Sequence, residues 1–243
     1  MLFYQVNRLT GPTSDNNITK GTVMNKYILI TIAAAVLAGF GAYAQTVGTY
    51  SDSRDGKAYR TVKAGGKTWM AENLNFAAKE SKCYGEGGVI INEWDIKGNP
   101  INRTKLSNKE VQANCAKYGR LYDWATALKA CPAGFHLPSD DEWTALVNYA
   151  GGEKNAEKKL KSKAGWNNNG NGTDDYGWSA LPGGYGDSDG SFNNAGSRGY
   201  WWSATEGDAS YARSRNMLYN FDVHVNWNSD NKTYLHSVRC VAD

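Results

Sequence analysis

The 243-residue chain carries 27 Lys and Arg against 24 Asp and Glu, a net charge of +3 at pH 7, with a mean hydropathy of −0.60. Residues 1–44 hold Arg8, Lys20 and Lys26 against Asp15, so the rest is close to neutral and lacks the basic stripe a nucleic-acid partner needs. Its 27 Gly, 9 Trp and 15 Tyr suit a loop-rich extracellular domain and sugar binding, because a pyranose stacks its apolar face on aromatic rings, although any single Trp is more simply a core residue.

Met24 is a second possible start. Lys26, the apolar run Tyr27 to Phe40 and the small-x-small triplet Ala42-Tyr43-Ala44 before Gln45 have the layout of a secretory signal peptide. The run is shorter than the roughly 20 residues a membrane span needs. The expected division is a non-native upstream extension over 1–23, a signal peptide over 24–44, and a single exported domain over 45–243. No membrane span is expected after cleavage.

Lys57 to Lys63 alternates as a strand, Ala64-Gly65-Gly66-Lys67 is a turn, and Thr68-Trp69-Met70 returns as a hairpin. Residues 84–106 lack a clear period and read as an insertion or long loop. Ser107 and Glu110 form a capping box that opens a helix to about Tyr118. Leu121, Trp124, Ala125 and Leu128 give helical spacing up to Ala130. Ser139 and Glu142 form a second capping box, and Trp143, Leu146, Val147 and Ala150 line one face of its helix. A short charged helix over Ala156 to Lys161 follows.

Gly165 to Gly199 is rich in Gly, Asn and Asp, a long structured loop of the kind that carries function or is pinned by ions. Met217, Tyr219, Phe221, Val223, Val225 and Trp227 alternate with polar residues, so the spacing predicts one long strand, a turn over Asn228 to Lys232 and a returning strand from Tyr234 to Val241. Hairpin, helices, loops and then strands make an α+β domain with two or three helices.

Cys83, Cys115, Cys131 and Cys240 form an even set in an exported chain, which reads as two disulfides. Of three possible connectivities, Cys83–Cys115 with Cys131–Cys240 is favoured. The second would close a loop of about 110 residues, worth up to roughly 4–5 kcal/mol.

The candidate ligand-binding residues are Trp178, Tyr185, Arg198, Tyr200, Trp201 and Arg213, around the long loops. In a strand Trp201 and Trp202 face opposite sides, so at least one belongs to the core. Arg213 and Arg215 occupy the odd face of a strand that should be apolar there. A polar ligand groove, a buried carboxylate partner or a shifted strand start would each explain them. Asp174, Asp175, Asp187 and Asp189 on Gly-rich loops offer the oxygen ligands calcium takes, against the simpler reading that such residues make turns. His136, His224 and His236 have no nucleophile at suggestive spacing, and no paired carboxylates mark a glycosidase.

Asp52-Ser-Arg-Asp-Gly-Lys-Ala-Tyr59, Thr68-Trp-Met-Ala-Glu-Asn-Leu74, Tyr118-Gly-Arg-Leu-Tyr-Asp-Trp124, Cys131 to Trp143, Ser179-Ala-Leu-Pro-Gly-Gly184, Gly199-Tyr-Trp-Trp-Ser-Ala-Thr-Glu206 and Ser237-Val-Arg-Cys-Val241 occur in order. Over residues 48–243 they resemble the Fibrobacter succinogenes major paralogous domain. More distantly, the His136 to Trp143 stretch and the terminal Arg-Cys-Val resemble formylglycine-generating enzyme and its C-type lectin-like relatives. That resemblance implies a C-type lectin-like α+β fold in which a helix is tied by a disulfide to the last strand, supporting Cys131–Cys240. It also implies export by a Gram-negative bacterium. The segment between Cys83 and Cys115 is longer than usual for the family.

The expected function is a secreted or surface-exposed, non-catalytic domain that binds polysaccharide or another cell-surface glycan. The alternatives are a structural or adhesin component contacting protein, and thirdly an enzyme of the formylglycine-generating or glycan-active kind. A reactive thiol is at odds with four cysteines consumed in disulfides.

Overall fold

The fold is taken from a computed structural model that describes residues 47–94, 100–220 and 226–243. The upstream extension, the signal peptide, and Phe221, Val223 and Val225 of the expected long strand lie outside these residues. Among the described residues, no helix is long and apolar enough to cross a membrane.

The elements follow in chain order. Strands β1 (Val47–Ser51), β2 (Ala58–Ala64) and β3 (Lys67–Met70) precede β4 (Val89–Trp94), β5 (Pro100–Thr104) and α1 (Asn108–Tyr118). The two-residue strand β6 (Leu121–Tyr122) leads to α2 (Trp124–Ala130), β7 (Phe135–His136), α3 (Asp140–Tyr149) and α4 (Glu153–Leu160). The C-terminal part is all strand: β8 (Gly183–Gly186), β9 (Ser191–Ala195), β10 (Arg198–Glu206), β11 (Tyr211–Leu218), β12 (Asn226–Asn231), β13 (His236–Ser237) and β14 (Val241–Ala242).

The expected first hairpin forms, with Val62 opposite Trp69 and Lys63 opposite Thr68. Both capping boxes are present: Ser107 with Glu110 opens α1, and Ser139 with Glu142 opens α3. Each satisfies helix N–H groups that would otherwise lack a partner. Strand β14 then comes home between β3 and β7, so Val241 is paired with both Trp69 and His136. The resulting sheet runs β1-β2-β3-β14-β7 and unites both ends of the domain. A second, larger sheet runs β12-β11-β10-β8-β9-β4-β5.

Five expectations change. Residues 84–106 are not a bare loop: β4 and β5 pair antiparallel, and β4 lies parallel to β9 with Ile90 beside Phe192. Leu121 and Tyr122 are strand, so α2 starts at Trp124, where the Asp123 carboxylate accepts from the Thr126 N–H at 2.7 Å. Four helices form among the described residues rather than two or three, and the short charged one, α4, starts at Glu153 rather than Ala156. The single strand expected from Met217 to Trp227 is instead two: β11 ends at Leu218, and β12 pairs back on it with Arg215 opposite Trp227. Residues 228–231, expected as a turn, belong to β12.

Buried aromatic rings fill the space between the sheets and helices. Trp69, Trp143, Trp178 and Trp201 form one cluster with Leu146, Leu160 and Met217. Their centroids lie 5.2 to 6.4 Å apart in tilted or edge contacts, the geometry ring quadrupoles favour. Met70, Leu74, Tyr122, Trp202, Val238 and Cys240 form a second cluster around α2.

Lys161, Arg215 and Arg239 are buried cations, and Arg239 lies against the tryptophan cluster. Arg239 is wholly buried, with its guanidinium 4.0 Å from the centroid of Trp178. Its Nε and Nη2 donate to Asn73 Oδ1 at 3.1 and 2.8 Å, and its other N–H groups to the carbonyls of Met70, Trp178 and Ser179. Asn73 Oδ1 also accepts from Trp201 Nε1 at 2.9 Å, while its Nδ2 donates to Tyr118 O and Ser237 Oγ. Burial pushes Arg239 down to about 9, so it is still a cation at neutral pH.

The disulfides are Cys83–Cys115 and Cys131–Cys240, separated by 32 and 109 residues in the chain, and no described cysteine is free. Chain entropy predicts that replacing Cys131 and Cys240 by Ser lowers the unfolding free energy by about 4–5 kcal/mol, roughly 1 kcal/mol more than replacing Cys83 and Cys115. Urea midpoints of the two variants check the order. Asn73→Ala leaves the Arg239 charge and the Trp201 indole N–H without their shared acceptor, and about 3–5 kcal/mol of stability is expected to disappear. Thermal unfolding of that variant gives the readout.

Candidate functional site

Strand β10 decides which sequence-nominated residues can meet a ligand. Its side chains alternate across the large sheet, and both faces are covered along part of its length. Trp201 points to the cluster on α3, and Trp202 to the opposite side, where its Nε1 donates to Tyr122 O at 2.8 Å. Trp178 and Trp201 are both 0% exposed. Their rings are enclosed by other tryptophans, so neither offers a face for stacking, and both belong to the core rather than to a ligand site.

The two arginines of β11 also separate. Arg215 is 3% exposed and takes Asp140 at the start of α3, with Nη2 to Oδ1 at 2.7 Å. A carboxylate partner therefore explains it. Arg213, two residues earlier, projects to the same side and reaches Ser229 Oγ at 3.4 Å. That side is opposite to Tyr200, so Arg213 is not part of the Tyr200 group.

Tyr185, Arg198 and Tyr200 do come together. Tyr200 is opposite Asn216 on β11, Gly199 is beside Gly184 on β8, and Tyr185 is opposite Asn193 on β9. Asn216, Tyr200, Tyr185 and Asn193 thus form a row across four strands on one face. The close strand approach requires glycine at position 184: its φ is 65°, and a Cβ there would lie 2.3 Å from the Asn193 carbonyl oxygen.

The C-terminal segment adds residues the sequence reading did not group with these. Leu235 pairs its backbone with Gly186, which places Tyr234 and His236 beside Tyr185. Ring centroids are 5.2 Å apart for Tyr185–Tyr200 and 5.8 Å for Tyr185–Tyr234, and His236 stacks on Tyr200 at 5.1 Å with 17° between planes. Tyr185 and Tyr234 are half-buried, Tyr200 is 7% exposed, and Arg198 is exposed, with Nη1 donating to Tyr200 Oη at 3.2 Å. Beneath the rings, Asp230 Oδ2 lies 3.0 Å from His236 Nε2 and also accepts from Ser214 Oγ at 2.5 Å. Asn193 and Asn216 are buried, yet their Oδ1 atoms accept no hydrogen bond from any described residue.

Burial and neighbouring groups raise two of these phenols, Tyr185 and Tyr234. Burial, reinforced by Tyr200 and Asp187, pushes Tyr185 up to about 12, and burial with Asp187 and Asp230 raises Tyr234. Burial works to raise Asp230 as well, but the hydrogen bonds and charge from His236 and the Ser214 hydroxyl outweigh it and hold the carboxyl below its ordinary range.

The four aspartates nominated for calcium serve two separate loops. Asp174 accepts from Ser179 N at 2.8 Å and Ser179 Oγ at 2.6 Å, while the Asp175 N–H is tied to Lys159 O. Asp187 accepts from the Ser188 N–H and hydroxyl, and Asp189 from the Ser191 N–H at 2.8 Å. Among the described residues, no three His, Cys, Asp or Glu side chains gather as a metal site would require. The hydrogen bonds of Asp187 and Asp189 are those of turns.

A shallow groove of about 430 Å³ opens beside the tyrosine group, between the start of α2, the β8–β9 turn and residues 232–235. Asp187 belongs to both features: it lines the groove and acts on both Tyr185 and Tyr234.

The Fibrobacter succinogenes major domain matches residues 62–242, and the chain belongs to that family. No curated protein and no solved structure matches significantly.

Because the Asp230 carboxyl is held below its unfolded value, its contribution to stability is present above about pH 4 and is lost as the pH falls through the folded value. Asp230→Asn is therefore expected to flatten the acid limb of the stability curve between pH 5 and 2 relative to wild type. Urea midpoints at stepped pH give the comparison.

Proposed function

We propose that this chain is an exported, non-catalytic binding domain with a C-type lectin-like fold, and that it binds polysaccharide at the Tyr185, Tyr200 and Tyr234 group. The observation that carries the reading is the half-buried pair Tyr185 and Tyr234, in ring contact with each other and backed by Tyr200, next to an exposed arginine. Such rings present apolar surface to the C–H face of a sugar and hydroxyls that both donate and accept.

The lectin-like reading is supported by the pairing of β14 with β3 in the sheet of the first strands, and by Cys131 tying the end of α2 to that return. Two disulfides fit an oxidising compartment, and with it secretion or the cell surface of a Gram-negative bacterium. A formylglycine-type reaction needs a free thiol, whereas all four cysteines are paired.

Affinity electrophoresis through gels containing β-glucan, xylan, glucomannan or pectin, with and without calcium, tests the reading. Retardation in at least one gel is expected, and unchanged mobility in every gel would sink it. Tyr185→Ala and Tyr234→Ala are each expected to weaken retention about tenfold or more with little change in Tm, since base- or sugar-type stacking on one ring is worth on the order of 1–2 kcal/mol. Trp178→Ala should instead cost about 3–5 kcal/mol of stability, the signature of a core ring.

A further inference from the structure

The groove beside the tyrosine group does not end at the β8–β9 turn. A second hollow of about 330 Å³ runs along α2 towards Lys129 and shares Glu80, Asp123 and Ala125 with the first hollow of about 430 Å³. The two hollows adjoin at these three residues and together outline a trough. It starts at Asp187 and Leu235, the latter bridged to Gly186 next to Tyr185 and adjoining Tyr234 in the chain, and passes Ala125 on its way to the far end of α2.

We propose that this trough continues the tyrosine site and holds an extended, uncharged polyhydroxylated chain, so that the domain recognises several consecutive sugar units within a polysaccharide. The inference rests on the carbohydrate-binding reading and adds the form of the ligand. Three observations favour this occupant over other polymers. Acidic and basic side chains are mixed along the walls, with Glu80, Asp123 and Asp187 against Lys79, Lys82, Lys129 and Lys232, the last already ion-paired with Glu206. A polyanion such as a nucleic acid or a uronate polymer would meet three carboxylates, whereas a neutral chain meets donors and acceptors throughout. Second, the trough is bordered by a helix and turns rather than by the free edge of a strand, so it provides no ladder for a peptide to join. Third, small or apolar side chains at Ala78, Ala125 and Leu235 leave low, dry ground between the polar walls, which suits the C–H faces of sugar rings.

Ala125 sits where the two hollows meet and is exposed, so it can be enlarged without disturbing the core. Isothermal titration with cello-, xylo- and manno-oligosaccharides of two to six units provides the test. In the series that binds, affinity is expected to rise about tenfold or more from the dimer to the longest oligomer. Ala125→Arg should return the longest oligomer to the affinity of the dimer and leave dimer binding and Tm unchanged. Thr233→Arg, at the mouth of the same trough, should act likewise and guards against a local defect in α2. Tyr185→Ala should weaken every length. Equal affinity for all lengths, or no response to either blocking variant, would overturn the trough while leaving the tyrosine site intact. No binding of any series would remove both.

Discussion

Among the described residues no carboxylate makes an ion-pair contact with Arg239; burying a cation in that way is costly, and this domain is organised around doing so. The guanidinium is planar and offers five donors, and the fold brings it an amide oxygen and three backbone carbonyls, from Asn73, Met70, Trp178 and Ser179. These acceptors come from the end of the first hairpin and from the loop before β8. Asn73 passes the connection on to the end of α1, to β13 and to the indole of Trp201. Every segment must be in place for the charge to be satisfied, so the network acts as a test of correct assembly. Two motifs far apart in the chain, Glu72-Asn73-Leu74 and Val238-Arg239-Cys240, are therefore halves of one structure.

How much of this was legible follows from how local each signal is. The capping boxes of α1 and α3 and the β2–β3 hairpin are written within a few residues, and they form as read. Strand β4 is different, because its partner β9 lies about a hundred residues on and no local period announces a parallel pairing. The single long strand expected after Met217 failed for a geometric reason. Arg215 pairs with Trp227 and Asn216 with Asn226, so odd residues face odd residues across the reversal. Alternation in the sequence therefore matches on both sides of the reversal and hides it.

The candidate site divides along similar lines. Tyr185, Arg198 and Tyr200 were nominated from composition and do meet, because strand register places them side by side. Trp178 and Trp201 were nominated on the same ground and are core. Composition cannot say which face of a strand is covered, and here both faces of β10 are covered at Trp201 and Trp202. Tyr234 and His236 were passed over because they arrive from the last segment of the chain. Only the bridge between Gly186 and Leu235 brings them to Tyr185. Arg215 was one of three open possibilities, and Asp140 at the start of α3 supplies the partner.

The Cys131–Cys240 bond has a mechanical meaning as well as a thermodynamic one. A pull applied between residue 47 and residue 243 follows the shortest covalent route, along the chain to Cys131, across the sulfur atoms to Cys240 and out through β14. Residues 132–239, with Tyr185, Tyr200 and Tyr234 among them, hang off that route as a closed loop and carry no covalent tension. The Cys83–Cys115 bond likewise bypasses residues 84–114. A domain held at one end while its surroundings move would deform first in its terminal sheet. The tyrosine face would keep its shape under load.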